Sequence, residues 1–327
     1  MRPRGIGLFQ LSRRFALAAL LTLASQFTAF GQTTAVDFFN RGYAKQAKGD
    51  LDGAIADYTH ALELDPKHAS VYNNRGNAKR AKGDLDGAIA DYARALELDP
   101  KYVFAYNNRG IARQAKGDLD GAIADFSRAV ELDPKYVFAY NNRGNAKRAK
   151  GDLDGAIADY THALELDPKF VFAYNGRGRT YFIQRRWTDS LADFRRSCEL
   201  SAKDQDYSRI DIWMIRTRLN ERDAANDELA AYFAKRTSGM PGDWPTKIAN
   251  FLLGKLSEKD FLAAAASRIA DTESGQRCEA WFYIGMNHLF TGDRTAARDS
   301  FNKCVATGRK ADTEYQFAEA ELKSLTD

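Results

Sequence analysis

Four nearly identical segments follow one another between residues 35 and 169, with a period of 34 residues. A proline closes each segment, at Pro66, Pro100, Pro134 and Pro168. A fixed period of this length indicates stacked copies of one helical hairpin, because a single hairpin cannot bury its own apolar face. The repeat therefore constrains the fold more than any other feature of the chain.

Each segment has the residue pattern of two helices joined by a tight turn. In the second segment Gly83 lies where the first helix should end in a left-handed conformation, which glycine adopts freely. Asp84 is expected to cap the second helix, and Pro100 to stop it. Gly76 and Ala88 should allow the two helices to approach closely.

The positions that define the hairpin are Tyr72, Gly76, Gly83, Ala88, Tyr92, Ala95 and Pro100. They match the aromatic, Gly, Gly, Ala, aromatic, Ala and Pro of a known consensus, so the chain resembles the tetratricopeptide-repeat family. The resemblance implies an all-α fold, a right-handed superhelical solenoid of antiparallel helix hairpins. We place five units, at residues 35–68, 69–102, 103–136, 137–170 and 171–204. The fifth is degenerate, because Arg185 and Arg186 stand where the loop glycine is expected.

The N-terminal segment has the pattern of an export signal. Four arginines and no acidic residue occur in residues 1–31, and an apolar run from Phe15 to Ser25 follows them. The run is too short to span a bilayer. We predict cleavage after Gly31 and an exported protein, periplasmic or secreted by a bacterium, without a stable membrane anchor. An uncleaved anchor is the alternative.

The net charge gives no indication of a nucleic-acid partner. The formal charge is +4, but without the four arginines of the N-terminal segment 44 basic residues face 44 acidic residues. A neutral mature chain lacks the basic surface that a phosphate backbone requires. Hydrophobic residues make up 44% and charged residues 28%, which is ordinary for a folded globular protein.

The period is lost after residue 204, but helical patterns continue. We expect divergent helices over residues 205–275, with a linker from Thr237 to Gly242, and a repeat-like hairpin with a capping helix over residues 276–327. The segments Phe251–Glu258, Phe282–Gly285 and Glu314–Leu322 make this half similar to the NlpI family of bacterial lipoproteins. That resemblance implies an adaptor that serves envelope proteases or peptidoglycan hydrolases, and a homodimer. The chain lacks the N-terminal cysteine through which that family is lipidated.

Two of the three cysteines are expected to lie side by side. Cys278 begins the first helix of the last hairpin and Cys304 lies near the end of its second helix. In an exported protein these residues would form a disulfide. Two buried thiols that pack as small apolar residues are the alternative. Cys198 would then stay reduced.

No pattern in the sequence indicates catalysis, a metal ion or a cofactor. His60 and His162 alternate with arginine at the same repeat position, which a metal ligand would not do. The recurring Asp-Leu-Asp-Gly lacks the oxygen ligands of a calcium loop, and helix capping accounts for it. None of the cysteines has a histidine partner in the pattern.

The first helices of a repeat solenoid face its groove, so their recurring polar residues are candidates for partner binding. The candidate groove residues are Asn73, Asn74, Asn77, Arg80, Phe104, Asn107, Asn108, Phe138, Asn141, Asn142, Asn145, Arg148, Phe172 and Asn175. An amide both donates and accepts hydrogen bonds, which suits the backbone of an extended peptide. The phenylalanines would form apolar pockets, and the two arginines would favour a carboxylate.

The asparagines form three rows along the repeats, and a second interpretation exists for them. The first row begins at Asn73, the second at Asn74 and the third at Asn77. For the second row, hydrogen bonding between neighbouring repeats is as good an explanation as ligand contact. For the first and third rows we expect ligand contact. A separate row of arginines, Arg41, Arg75, Arg109, Arg143 and Arg177, is expected to pair with recurring aspartates of the second helix.

The sequence therefore favours a non-enzymatic protein–protein interaction scaffold of the bacterial cell envelope, which binds extended segments of other proteins. An enzyme with a site in residues 205–327, using the repeats as a substrate arm, is one alternative. A structural module that only self-associates is the other.

Overall fold

The computed structural model describes residues 33–201, 205–236, 242–266, 270–310 and 312–326, and these residues form an all-α protein. Within those ranges there are seventeen helices and no strand. The predicted signal peptide, with its cleavage site at Gly31, lies outside the described residues, as does most of the predicted linker. Among the described helices, none is long and apolar enough to cross a membrane.

The repeats contain the first ten helices. These are α1 (Ala35–Ala47), α2 (Leu51–Leu64), α3 (Ala69–Ala81), α4 (Leu85–Leu98), α5 (Val103–Ala115), α6 (Leu119–Leu132), α7 (Val137–Lys150), α8 (Leu153–Leu166), α9 (Val171–Ile183) and α10 (Trp187–Leu200). Each of the five units placed on the sequence contains one pair of them. In each pair, "first helix" below means the odd-numbered one.

The rest of the chain contains seven further described helices. These are α11 (Asp206–Arg218), α12 (Arg222–Lys235), α13 (Trp244–Leu252), α14 (Glu258–Ala264), α15 (Ala270–Phe290), α16 (Arg294–Val305) and α17 (Thr313–Thr326). Helix α15 begins upstream of residue 276, where we placed the start of the last hairpin. The helix continues through Gly275 because this glycine does not adopt the left-handed conformation that would end it.

The helices group into two compact units, one that ends at Asn108 and one that begins at Arg109. The division falls inside α5, so it does not coincide with a boundary between repeats. The first unit contains α1 to α4 and the start of α5. The second contains the remaining repeats and all the C-terminal helices.

The turn inside each hairpin forms as the sequence predicts. Gly83 has a φ of +85°, in the left-handed region that favours glycine. The Asp84 carboxylate then accepts a hydrogen bond of 2.9 Å from the Gly87 N–H and caps α4. In the fifth repeat Arg185 takes the place of this glycine, with a φ of +60°.

A glycine of the first helix sets how closely the two helices of a hairpin approach. A Cβ atom on Gly76 would lie only 2.7 Å from the ring of Tyr92, which is fully buried. The same contact recurs in the last hairpin, where a Cβ on Gly285 would lie 2.6 Å from the Phe301 ring. The ring therefore fills the space that the missing side chain leaves, as close packing requires.

The recurring arginines pair with recurring aspartates, as predicted. Arg75 donates from Nε and Nη2 to the two carboxylate oxygens of Asp91, at 2.9 and 2.7 Å. The equivalent two-pronged pairs are Arg41–Asp57, Arg109–Asp125, Arg143–Asp159 and Arg177–Asp193. The aspartates are buried, so each pair fixes the second helix to the first by charge-assisted hydrogen bonds.

The C-terminal helices of the second unit share one apolar core with the fifth repeat. Phe282, Phe301 and Phe317 are fully buried there. Phe317 of α17 stacks on Phe182 of α9, with ring centroids 4.2 Å apart. Helix α17 therefore covers the last repeat as a cap, and it does so on the first-helix side.

Candidate partner-binding surface

Three residues of the first asparagine row are buried, and the fourth, Asn175, is half-buried. Asn73, Asn107 and Asn141 are only 5, 5 and 7% exposed. This corrects the expectation that the row faces a ligand, because side chains so deeply buried offer no surface to one. A buried amide needs hydrogen-bond partners inside the protein, and Oδ1 of Asn141 has none among the described residues.

The second row bonds between repeats. Within the first unit, the Asn108 amide donates to the Asn73 carbonyl oxygen at 3.0 Å, so one asparagine of each row is used to join consecutive first helices. Asn74 and Asn142 are half-buried. In the fifth repeat the position holds Gly176, where a Cβ would lie 2.5 Å from the Tyr160 ring. Of the two interpretations of this row, contact between repeats has the geometric support.

The third row accepts hydrogen bonds from buried tyrosines. The Tyr92 hydroxyl donates to Asn77 at 2.8 Å, and the Tyr160 hydroxyl donates to Asn145 at the same distance. The third repeat changes both partners together. There the buried aromatic is Phe126, which has no hydroxyl, and Ile111 replaces the asparagine. The pairing gives this row a structural role, and ligand contact by its half-buried amides stays a prediction.

The last asparagine has a hydrogen-bond partner within the protein, whereas each of the two arginines keeps one unpaired nitrogen. Asn175 accepts a hydrogen bond of 3.3 Å from the Ser208 hydroxyl. Arg80 and Arg148 each have a buried Nε atom without a hydrogen-bond partner in the described part of the chain. A buried N–H donor without an acceptor costs free energy, so each of these guanidinium groups has one unsatisfied hydrogen bond.

The phenylalanines are the candidate residues that are clearly solvent-exposed. Phe104, Phe138 and Phe172 occupy one repeat position and are 56, 53 and 65% exposed. In the second unit Phe170 lies between two of them, with ring centroids 5.1 Å from Phe138 and 5.5 Å from Phe172. We call Phe138 and Phe172, with the buried Phe170 ring between them and Tyr136 beside Phe138, the aromatic edge.

Part of the first-helix surface is covered by the chain itself. Gln316 of α17 accepts a hydrogen bond from Arg148 of α7. Further along α17, the Glu321 carboxylate is 2% exposed and lies between Arg185 and Arg218. Helix α17 therefore occupies the ends of α7 and α9 and leaves the aromatic edge, at their beginnings, uncovered.

The sulfur atoms of Cys278 and Cys304 lie 3.1 Å apart, both buried. The structure brings the two residues together as free thiols, so the disulfide itself stays a prediction. Cys198 is buried elsewhere, and burial raises the pKa of its thiol to about 11. A thiol with so high a pKa is a poor nucleophile near neutral pH.

An open cavity lined by half-buried carboxyl groups lies among the C-terminal helices, and no sequence pattern indicated it. It measures about 560 Å³ and contains Glu279 and Glu314, with Asp211 close by. Glu279 accepts hydrogen bonds from the Tyr207 hydroxyl at 3.1 Å and the Trp244 indole at 2.9 Å. Charged residues that line the same cavity are Arg179, Arg309, Asp271 and Asp312.

These carboxyl groups hold their protons more tightly than usual. Burial raises the pKa of Asp211 to about 7 and, together with the charge of Glu314, raises the pKa of Glu279 to about 8. Burial also raises the pKa of Glu314. The cause is the poor solvation of a charged carboxylate in the protein interior. Among the described residues, no group of three or more histidine, cysteine or acidic side chains could hold a metal ion.

The stability of the second unit should therefore fall as the pH rises from about 5 to about 9. The folded chain keeps protons on Asp211 and Glu279 where the unfolded chain, with carboxyl pKa values near 4, has released them. This stabilisation is complete below about pH 4 and is lost as the pH passes through the folded values. We expect a loss of several kcal/mol, measured by urea unfolding, because raising the pKa of the buried Asp211 from about 4 to about 7 corresponds to roughly 4 kcal/mol and the half-buried Glu279 adds a smaller amount. Glu279→Gln should flatten the profile, and Glu319→Gln, at an exposed site, should not.

Comparison with known proteins agrees with this architecture. A sequence profile described as TPR repeat matches residues 42–79, 76–117 and 144–184, and one described as Tetratricopeptide repeat matches residues 103–136. The chain therefore contains tetratricopeptide repeats. Proteins with this repeat are, as a class, protein-interaction scaffolds.

Solved structures show the same fold. A tetratricopeptide repeat protein from Parabacteroides merdae ATCC 43184 superposes with a TM-score of 0.57 at 16% identity, over 90% of this chain and 100% of that one. PilW, described as a widely conserved type IV pilus biogenesis factor, gives 0.57 at 22% identity, over 63% and 94% of the two chains. Pseudomonas aeruginosa pilF gives 0.55 at 15% identity, over 63% and 93%. At these identities the likeness concerns the fold alone.

Proposed function

We propose, from the tetratricopeptide repeats that the chain contains, that the protein is a non-enzymatic scaffold that holds an extended segment of a partner protein. One observation carries the proposal: Phe104, Phe138 and Phe172 are each more than half exposed at the same repeat position. The other recurring aromatic position, occupied by Tyr92 and Phe126 in the second and third repeats, is fully buried. A large apolar side chain that is solvent-exposed at the same position of several repeats is typical of a binding surface.

The aromatic edge fits an extended segment better than a globular surface. Its two exposed rings, Phe138 and Phe172, each contact the buried Phe170 ring, at 5.1 and 5.5 Å between centroids. Alternate side chains of an extended strand lie about 7 Å apart on one face. An extended partner would place side chains of one face against the exposed rings of Phe138 and Phe172, while the Phe170 ring between them stays buried. The contact would be mainly apolar, because the exposed side chains of this edge are phenylalanine rings.

The cellular setting that we propose is the bacterial envelope. Two features of the sequence support it: the export-like N-terminal segment and the resemblance of the C-terminal half to the NlpI family. In that setting the scaffold would bring envelope proteases or peptidoglycan hydrolases to their substrates. A homodimer, which the same resemblance implies, is part of the proposal, and the mass of the purified protein in solution tests it.

Capture of partners from an envelope extract tests the binding surface. The double variant Phe138→Ser/Phe172→Ser should lose specifically captured proteins, with affinity reduced by at least about tenfold for a purified partner. Leu64→Ser is the matched control, because Leu64 is also an exposed apolar residue, 57% open, but lies on a second helix. Equal capture by the double variant and the wild type would show that the aromatic edge is not the binding surface.

The alternative, an enzyme with its site in residues 205–327, has the acidic cavity in its favour. A carboxyl group with a raised pKa beside a second carboxyl group is a common feature of catalytic sites. Turnover of peptidoglycan or model peptides by the purified protein, abolished in Glu279→Gln, would support the enzyme and contradict the scaffold. We expect no turnover, because Glu279 is already held by two hydrogen bonds inside the fold.

A further inference from the structure

Arg148 differs from the arginines that hold the hairpins together. Each of those arginines faces a buried aspartate, as Arg143 faces Asp159. Arg148 lies beside the neutral Tyr160 hydroxyl and donates to the neutral amide of Gln316. Its Nε is buried and has no hydrogen-bond partner in the described ranges. Arg148 is thus a largely enclosed cation with no carboxylate against it in the described chain.

Arg148 lines a pocket to which α17 also contributes. The pocket measures about 510 Å³ and lies between the turn after α7, the end of α9 and one face of α17. Its volume is in the range of ordinary ligand sites. Leu153, Ile183 and Ala320 supply its apolar walls.

More basic than acidic side chains line this pocket. Four cations line it, namely Arg148, Lys150, Arg185 and Lys323, and Glu319 is the acidic residue among the lining residues. Lys150 pairs with Asp120, and Arg185 pairs with Glu321. Arg148 and Lys323 have no such pair among the described residues. Two unpaired cations against one acidic residue, Glu319, leave the pocket with a net positive charge, which favours an anionic ligand.

We propose that this pocket binds a carboxylate of an acidic segment in the partner protein, with Arg148 as the anchor and Lys323 as the second contact. The proposal rests on the proposed function and deepens it by naming the chemistry of the partner. A guanidinium group binds a carboxylate through two parallel N–H bonds, and the bond is strengthened where water is excluded. The pocket and the aromatic edge both lie in the second unit, on residues of α7 and α9 and their flanking turns.

Fluorescein-labelled peptides test the proposal on the full chain by fluorescence anisotropy. The probes are an amidated hexaglutamate, a neutral Gly/Ser peptide with a free carboxyl terminus, and the same Gly/Ser peptide amidated. Binding of the hexaglutamate identifies side-chain carboxylates as the ligand, and binding of the free-acid Gly/Ser peptide identifies a terminal carboxylate. Either result supports the pocket if it depends on the two cations. The fully neutral peptide should not bind.

Charge variants locate the binding. Arg148→Gln should raise the Kd at least about tenfold, the effect of losing one charge-assisted hydrogen bond. Lys323→Gln should raise it about two- to fivefold, because Lys323 is exposed and its contact is screened. Lys259→Gln removes the same charge from an exposed site on α14 and should leave the Kd unchanged.

Three results would overturn the proposal: no binding of either carboxylate probe, wild-type affinity in both Arg148→Gln and Lys323→Gln, or an equal loss in Lys259→Gln. Lys323 has no structural partner in the described chain, so its variant remains informative even if Arg148→Gln disturbs α17. The scaffold function fails separately, through the Phe138→Ser/Phe172→Ser capture experiment. Partner capture that survives in Arg148→Gln and is lost in the phenylalanine variant would leave the function standing without this pocket.

Discussion

Glu321→Ala is expected to destabilise the packing of α17 on the fifth repeat by about 3–5 kcal/mol. Glu321 is 2% exposed and accepts hydrogen bonds from both Arg185 and Arg218. Arg218 is itself only 13% exposed, and burial lowers the pKa of its guanidinium group. Removing the carboxylate leaves that cation enclosed without an anion, which is the most costly way to break a buried ion pair.

Amide hydrogen exchange in α17 measures this effect directly, because a repeat protein need not unfold in one step. Glu319→Ala is the matched control, since it removes an exposed glutamate from the same helix and should change the free energy of opening by less than about 0.5 kcal/mol. If the free energy of opening of α17 is the same in the two variants, the buried ion cluster does not hold α17 in place.

Asn77→Ile is expected to destabilise the first unit by about 1–3 kcal/mol, and adding Tyr92→Phe should recover most of that loss. The Tyr92 hydroxyl is buried and donates to Asn77 at 2.8 Å. Arg80, the other polar group beside it, has no lone pair and cannot accept the hydroxyl proton. The single variant therefore leaves a buried donor without a partner, and the double variant removes the donor as well.

The third repeat already contains the doubly substituted pair. Ile111 packs against Phe126 there, at the positions that Asn77 and Tyr92 occupy in the second repeat. Urea unfolding of the two single variants and the double variant gives the coupling free energy, which we expect to be favourable by about 1–2 kcal/mol. Simple additivity of the two single effects would mean that the tyrosine hydroxyl and the amide do not depend on each other.

The hairpin could be predicted from the sequence because its determinants are local or recur at fixed spacing. Gly83 and Asp84 act within one turn of the chain, and the Arg75–Asp91 pair repeats 34 residues later as Arg109–Asp125. Because each residue pair recurs in several repeats, the sequence supports each contact several times. The close approach of Gly76 to the Tyr92 ring followed from the same spacing.

The roles of the asparagines could not be predicted in this way. Spacing places Asn73, Asn74 and Asn77 along the first helix, but it does not show which of them a neighbouring repeat covers. The signal that could have helped was the joint change at Ile111 and Phe126, where the loss of the amide accompanies the loss of the hydroxyl.

The C-terminal contacts were also beyond the sequence pattern, because they join residues that no repeat relates. Arg185 and Glu321 are 136 residues apart, and Tyr207 and Glu279 are 72 apart. The sequence contained one sign of these contacts. Arg185 stands at the glycine position of the fifth repeat, and it pairs with Glu321 of α17. The acidic cavity had no local signal at all, since its carboxyl groups come from three separate helices.

Site-specific photo-crosslinking in cells tests the central claim most directly. A photoreactive residue is placed at position 138, at position 172 and, as a control in the same unit, at position 166 on the second helix α8, where Leu166 is 36% exposed. The scaffold account predicts that positions 138 and 172 crosslink to the same partner proteins and that position 166 does not. Crosslinking at position 166 to the same proteins, or none at positions 138 and 172, would contradict it.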